Sequence, residues 1–446
     1  MGARFIMAML ILLGAVTQLP AAEPLPDERI AAYREFRGNF DAGRFAEALP
    51  QALEVLRLSQ AQFGPETRQL VNPLTNLATT CYRLGQFDTA LDHYQHALRI
   101  LDSLASGSDP QLIRPLHGLG ATYRALGRDE EAITVLKRAL DISRNRDGLF
   151  NPGQLPVLRP LADSYMNVGR VEEAGKEQQY AYTVAENTYG TFDVRLLGPL
   201  DEYARWNEAA GHYAAARMLH ARAVQIAEKS NGTATPMAVP GLRGIARAYR
   251  LGFVHGEDDE SIAASSPPSL SDSLPANLQR VTVGPHPDGE RALRAAAAIL
   301  QNSKPVDPAA LGAVLTDLGD WYLSAGAEVR AFMGYREAWK LLAAGGNTSA
   351  LQAPVLLSYR PPAMAVSRRK EDPDDFAQAE VRITLTVAAD GQTEQLISNG
   401  DAGTESAARS VLLAMKRALY RPRFDNGEPV VTRDVAFAEK VFVKRR

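Results

Sequence analysis

Five glycines, Gly43, Gly85, Gly127, Gly169 and Gly211, follow one another at a constant interval of 42 residues. They sit in the segments AGRFAEAL, LGQFDTAL, LGRDEEAI, VGRVEEAG and AGHYAAAR. Four equal intervals mark an internal repeat, and a period between about 20 and 50 residues predicts an array of stacked units. Within each unit, small and bulky residues recur at fixed offsets. The third unit carries Leu119, Gly120, Tyr123, Gly127, Ala132, Leu136 and Ala139, and the second carries Leu77, Ala78, Cys81, Gly85, Ala90, Tyr94 and Ala97. The fourth carries Leu161, Ala162, Tyr165, Gly169, Ala174 and Ala181. This pattern predicts two antiparallel helices per unit. Small residues let them cross closely, a bulky residue fills the space beside them, and glycine permits the turn. Prolines 73, 115, 160, 199 and 240 fall near the start of each first helix and predict a kinked or late-starting first turn.

The phase continues past an interruption. Ile245, Ala246, Tyr249 and Phe253 fit the first helix of a sixth unit. Gly289, Leu293 and Ala296 fit its second helix, 31 positions later than the repeat alone would place them at 258, 262 and 265. Between them runs EDDESIAASSPPSLSDSLP, too rich in Ser, Pro and Asp to build a packed core. The expectation is a flexible insert near residues 256–288 inside unit six; a domain boundary there is the competing reading. Leu318, Gly319, Tyr322, Gly326, Ala331, Tyr335 and Ala338 then form a seventh unit in phase.

The repeat resembles the tetratricopeptide pattern, whose usual period is about 34 residues, and in particular the longer-period version of kinesin light chains. That resemblance implies a right-handed all-α superhelix over residues 23–346, with a concave face lined by each unit's first helix. The residues it places on that face are Asn76, Thr79, Arg83, Arg114, His117, Arg124, Arg159, Asp163, Asn167, Arg205, Arg243, Arg247 and Arg250. Such a groove favours a protein or peptide partner carrying carboxylates; ordinary solvated arginines are the plainer alternative.

The character changes after Gly345-Gly346. In VRITLTVAADGQTEQLI, Val381, Ile383, Leu385 and Val387 alternate with Arg382, Thr384 and Thr386, and Asp390-Gly391 marks a hairpin turn. Residues 404–419 read as one helix with Thr404 as N-cap and Ala408, Val411, Leu412, Met415 and Leu419 on the buried side. Asp425-Asn426-Gly427 turns the chain into a last strand, whose residues Val431, Val435, Phe437, Val441 and Val443 are expected on one face. The order is strand, strand, helix, strand over residues 352–446.

With ALYRPRFDNGEPV, that order resembles the C-terminal domain of TonB-family proteins. The matching residues are Tyr420, Arg421, Pro422, Phe424, Gly427, Pro429 and Val430, and Tyr359 to Ala363 resembles the family's Tyr-Pro opening. The charged stretch 367–375 departs as an insertion, and Gln378-Ala379-Glu380 stands where a glycine is usual. The implied fold is a small α+β domain (β-β-α-β) after the all-α array. The resemblance also implies strand addition of an outer-membrane receptor segment along the edge Val431, Arg433, Val435, Phe437 and Val441; a free edge or a homodimer is the alternative.

At the other end, Arg4 precedes an apolar run from Phe5 to Val16, and Leu19-Pro20-Ala21-Ala22 offers a cleavage site. This predicts an export signal over residues 1–22 and a periplasmic chain. An uncleaved signal would instead anchor it to the inner membrane, the requirement for an energy transducer of the TonB type. Hydrophobic residues make up 46% and charged residues 23%, as in a globular chain, and a net charge of −3 gives no reason to expect nucleic acid. Cys81 is the single cysteine, so no intrachain disulfide forms.

No Gly-x-Ser-x-Gly elbow occurs. Gly169 to Lys176 imitates a phosphate loop, but it has one residue too many between glycines and Glu177 where Ser or Thr must hold magnesium. His93 and His96 stand three apart on one helix with no third ligand nearby. The expectation is a non-enzymatic interaction scaffold without metal or cofactor, touching membrane only through partners or an uncleaved signal.

Overall fold

The third repeat shows how each unit folds. α5 (Ile113–Ala125) ends, Gly127 takes φ +72°, and α6 (Asp129–Asp147) returns antiparallel. The amide of Arg128 donates to Tyr123 O at 2.8 Å and that of Gly127 to Arg124 O at 3.0 Å, closing the helix end through a left-handed residue. Ala132, Leu136 and Ala139 are fully buried at the crossing. A side chain at Gly120 would meet Leu136 at 2.6 Å, so the absent Cβ is what lets these helices approach.

A computed structural model describes residues 26–104, 107–257, 285–362, 376–398 and 404–444. The export signal, the interior of the insert and the charged stretch 367–375 lie outside the described residues, as does Ala363.

Seven helix pairs are present among the described residues. They are α1 and α2 (Pro26–Asp41, Phe45–Phe63), α3 and α4 (Val71–Arg83, Phe87–Leu104), and α5 and α6. The series continues with α7 and α8 (Leu155–Asn167, Val171–Tyr189), α9 and α10 (Leu197–Ala209, Tyr213–Asn231), α11 and α12 (Val239–His255, Pro287–Asn302), and α13 and α14 (Pro308–Ser324, Glu328–Ala344). α11 packs directly on α12, so the interruption falls inside the sixth hairpin. The prolines mark late starts. A single 3-10 turn precedes α3, α5, α7, α9 and α11, and Pro73, Pro115, Pro199 and Pro240 fall within the first three helical residues. Pro160 lies deeper, inside α7. A second glycine series, Gly64, Gly148, Gly190 and Gly232, closes the second helices at positive φ with the same period, apart from one missing member.

Two compact units divide the chain within the fourth hairpin. Of the described residues, the first holds those up to Gly148 and Asp163–Val168, the second Leu149–Ala162 and those from Gly169 onward. In the first unit, α1 to α6 share alanine-rich crossings with Leu77, Tyr94, Leu119 and Leu136 buried between them.

In the second unit a small sheet domain follows the last hairpin. Strand β2 (Phe376–Val387) is central, between β3 (Thr393–Ser398) and β7 (Thr432–Lys444), all antiparallel. Val381, Ile383, Leu385 and Val387 turn one face inward against Ala407, Ala408, Val411 and Met415 of α15 (Glu405–Met415). The expected 404–419 helix stops early, because 419–421 is recruited as β4 (Leu419–Arg421) by β1 (Val355–Ser358). β5 (Arg423–Asp425) and β6 (Glu428–Val430) make a separate ribbon, turned by Asn426 at φ +49° and Gly427 at φ +82°. Asp425-Asn426-Gly427 therefore turns into β6, and β7 begins afterwards. Val431 does not share the face of Val435. Leu385 pairs with Val435 but Val387 with Thr432, so the register slips by one residue at a bulge where Asp434 has φ +55°. Val431 precedes the strand and is exposed, whereas Val435 and Phe437 pack against the core and Val441 is buried within it.

The sheet domain and the last hairpin share one hydrophobic core. Leu351, Leu357 and Phe424 are buried together with Leu318, Trp321, Tyr335 and Leu342. The Phe424 ring lies 5.2 Å from that of Tyr335.

Candidate functional site

A concavity of the first unit has a volume of about 570 Å³ and opens over the first three hairpins. Its lining comes from α1 (Arg29, Tyr33), α2 (Val55, Phe63), α3 and the turn before it (Arg68, Gln69, Asn72, Pro73, Asn76), and the start of α5 (Gln111, Arg114). Three arginines and four amides line it, and no carboxylate does. Arg114 donates to the Asn76 amide oxygen at 2.7 Å, and Arg29 donates to Gln62 at 2.9 Å while its guanidinium lies 5.3 Å from the Phe63 ring centre. Arg68 is held by Asp109 at 2.5 Å and Gln111 at 2.7 Å. An amide oxygen orients a guanidinium but leaves its charge uncompensated, so the cavity is electropositive.

Of the sequence-derived groove residues, Asn76 and Arg114 line this cavity. The others take local partners in the same unit. Thr79 accepts from Tyr94 Oη at 2.9 Å while donating to Thr75 O, and burial pushes the Tyr94 phenol above its usual range. Arg83 lies over the Phe45 ring at 5.7 Å. His117 is half-buried on α5. Arg124 pairs with Asp163 at 2.9 Å, and Asn167 donates to Asp129 at 3.1 Å. His93 and His96 share no metal ligand set; His96 contacts Glu66 at 3.0 Å. Among the described residues no group of three or more His, Cys, Asp or Glu is placed to hold a metal ion.

In the second unit the corresponding arginines meet acids or carbonyls. Arg159 pairs with Glu202 at 3.1 Å, Arg205 with Asp201 at 2.8 Å, Arg243 with Asp317 at 2.5 Å and Arg247 with Glu208 at 2.7 Å. Arg250 donates to Leu357 O of β1 at 2.9 Å. Glu208 also lies 3.0 Å from His220 Nε2. Burial pushes its carboxyl up, but hydrogen bonds from His220 and Arg247 outweigh that and leave it below the usual range. Arg421 of β4 pairs with Asp320 of α13 at 3.1 Å, and Tyr335 donates to the same carboxylate at 2.9 Å. Burial holds the Asp320 carboxyl above its ordinary value in spite of Arg421 and Arg250.

Of the strand-edge residues, Val435 and Phe437 turn toward the core and Val441 is buried. Arg433 sits in the bulge, and Val431 lies ahead of the strand. Among the described residues β7 pairs with β2 on one side and with no strand on the other.

The sequence reading passed over Arg29, Tyr33, Phe63, Arg68, Asn72 and Gln111. Glutamine recurs at 69 and 111, one period apart, and that repetition in the turns before α3 and α5 was the available signal.

A family model described as tetratricopeptide repeat matches residues 37–103 and 82–145. The matched hairpins are tetratricopeptide repeats. Solved structures similar to the chain include nearly identical tetratricopeptide-like repeats of a putative kinesin light chain from Podosopora anserina. Identity there is 21%, over 46% of this chain and 98% of that one, with a TM-score of 0.43. A tetratricopeptide repeat protein from Parabacteroides merdae is 16% identical over 73% of this chain and 95% of its own, with a TM-score of 0.41. The tetratricopeptide sensor of a signal-transduction ATPase from Pyrococcus horikoshii is 15% identical over 72% of this chain and 43% of that one, with a TM-score of 0.49. No curated protein matches the chain.

Proposed function

We propose that the protein is a non-enzymatic interaction scaffold whose first three hairpins hold an extended, carboxylate-bearing peptide of a protein partner. The observation that carries this reading is the 570 Å³ cavity, with Arg29, Arg68 and Arg114 in its lining, no carboxylate in that lining, and only Arg68 paired with an acid, Asp109 behind it. An ionised donor strengthens a hydrogen bond about twofold, and two of these guanidiniums are oriented only by neutral amides. Tyr33, Val55 and Phe63 supply apolar contact for one side chain of the same peptide. The test is fluorescence anisotropy with an array of extended acidic peptides and their amide-for-carboxylate counterparts. Binding of the acidic set alone, lost in Arg114→Ala, supports the reading; equal binding of both sets removes it.

In the same proposal the C-terminal sheet is a TonB-type domain that adds a strand from an outer-membrane receptor to β7, and the chain works in the periplasm. The unpaired edge of β7 supports strand addition, and the arrangement of Arg4 and the following apolar run supports export. A photo-crosslinker at exposed Ala436 tests the first point by whether it captures receptor segments. Mass analysis of the mature N-terminus tests the second. An N-terminus beginning after Ala22 fits a periplasmic adaptor, whereas a retained one moves the reading to an anchored energy transducer.

A further inference from the structure

The first helices of the sixth and seventh hairpins, α11 and α13, already carry an extended segment of the chain itself. The segment runs from Val355 to Arg360; Leu356 and Tyr359 pack against the sheet's core, and three features hold its other side to the helices. Leu357 is buried in the core built by α11 and α13. The carbonyl of Leu357 accepts from Arg250, the last of the arginine stripe 243, 247 and 250 on α11. Arg360 donates to the carbonyls of Val254 and Phe253. Those carbonyls belong to the last turn of α11, where the dipole favours a cation; the Phe253 carbonyl accepts from the Gly256 amide as well. Backbone and arginine are thus read by two separate parts of α11, and leucine by the core between α11 and α13.

We infer that this face is a docking site for an extended Leu-x-x-Arg segment, that Val355–Arg360 is its resident occupant, and that a partner bearing the same pattern competes for it. The chemistry differs from that of the first unit's cavity. There arginines await an anion; here a guanidinium from the ligand meets helix-terminal carbonyls. The inference stands independently of the acidic-peptide reading. β1 is only four residues long and is paired on one side alone, with β4, so the segment presents little backbone structure to be lost when it is replaced.

The experiment uses the full chain and a labelled peptide with the sequence of residues 352–362, QAPVLLSYRPP. Leu357→Asp disables the resident segment without changing any residue of α11 or α13, although the side chain it replaces is buried in their core. The expected result is saturable binding of the peptide to L357D, at least ten-fold tighter than to the native chain and returned to the native level when Arg250→Ala is added. An L357D protein with undiminished helical circular dichroism that binds the peptide no better than the native chain overturns the inference. If L357D does not fold, hydrogen exchange of the native protein decides. Exchange of the Leu356–Ser358 amides well before those of α11 supports a replaceable occupant, and exchange only together with α11 overturns it. The peptide differs from the acidic ligand of the first unit, so either proposal can fail without the other.

Discussion

Arg421 of β4 and Asp320 of α13 form a nearly buried ion pair at 3.1 Å across 101 residues of sequence. Arg421 also reaches Ala350 O at 3.3 Å, and Asp320 is held from the other side by Tyr335. The pair ties the sheet domain to the last hairpin through groups that have left water, so its two ends are unequal in what they cost to remove. Deleting one strands the other charge. Asp320→Ala is expected to destabilise the second unit by about 3–5 kcal/mol, whereas the double replacement Asp320→Leu with Arg421→Met recovers most of the loss. Urea unfolding of the three proteins checks this; a double variant as weak as the single one would show that the pair itself is the stabilising element.

The Glu208 network predicts a pH dependence. Its folded pKa lies below the ordinary 4.5 because His220 and Arg247 outweigh burial. A depressed carboxyl contributes stability above its unfolded value and loses it as pH falls through the folded one. Glu208→Gln removes charge-assisted bonds and is expected to cost about 1.5–3 kcal/mol at neutral pH. The gap between native protein and variant should shrink as pH drops below 4.5. Melting curves from pH 7 to pH 3 read that convergence directly, and a constant gap would refute it.

Two glycines separate strain from collision. Gly127 has φ +72° and open space where a methyl group would stand, so Gly127→Ala meets only the left-handed backbone penalty, about 1–2 kcal/mol. Gly391 has φ +89°, and a Cβ there would stand 2.1 Å from Tyr420 O. Tyr420 N donates to Gly391 O at 2.9 Å, so the neighbouring backbone cannot withdraw without breaking the junction of hairpin turn and β4. Gly391→Ala is expected to cost upwards of about 3 kcal/mol. Chemical denaturation of both variants gives the ordering; comparable losses would mean that the β4 junction yields.

The glycines also show what a sequence can and cannot display. Gly43 to Gly211 recur because each hairpin repeats one local solution, and local solutions leave periodic traces. The seventh unit was readable in phase for the same reason, through Leu318, Gly319 and Tyr322. Contacts made once leave none. Nothing near Arg421 signals Asp320, and nothing near residue 419 signals that β1, more than sixty residues earlier, takes over the end of the expected helix. The bulge at Asp434 is equally silent, since it depends on β2 pairing across a hairpin and a helix, and it moved Val431 off its expected face. The groove arginines were visible as arginines. Their partners Asp317, Glu208 and Leu357 O, which separate the charged cavity of the first unit from the paired stripe of the second, were fixed by tertiary packing.

The shared core argues against treating Gly346 as a place to cut. Phe424 is 1% exposed and packs on Tyr335 and Phe332 of α14, with Leu351, Leu357 and partly buried Leu419 and Trp339 around it. A terminal hairpin of a repeat array needs a cover for its outward apolar face, and here the sheet domain supplies it. Phe424→Ala should therefore weaken the seventh hairpin as well as the sheet, by about 3–5 kcal/mol. Hydrogen exchange would show the α14 amides losing protection together with those of β5. A chain ended at Gly346 should bind a hydrophobic dye and lose protection across α13 and α14. Retained protection there would mean that the seventh hairpin closes its own core.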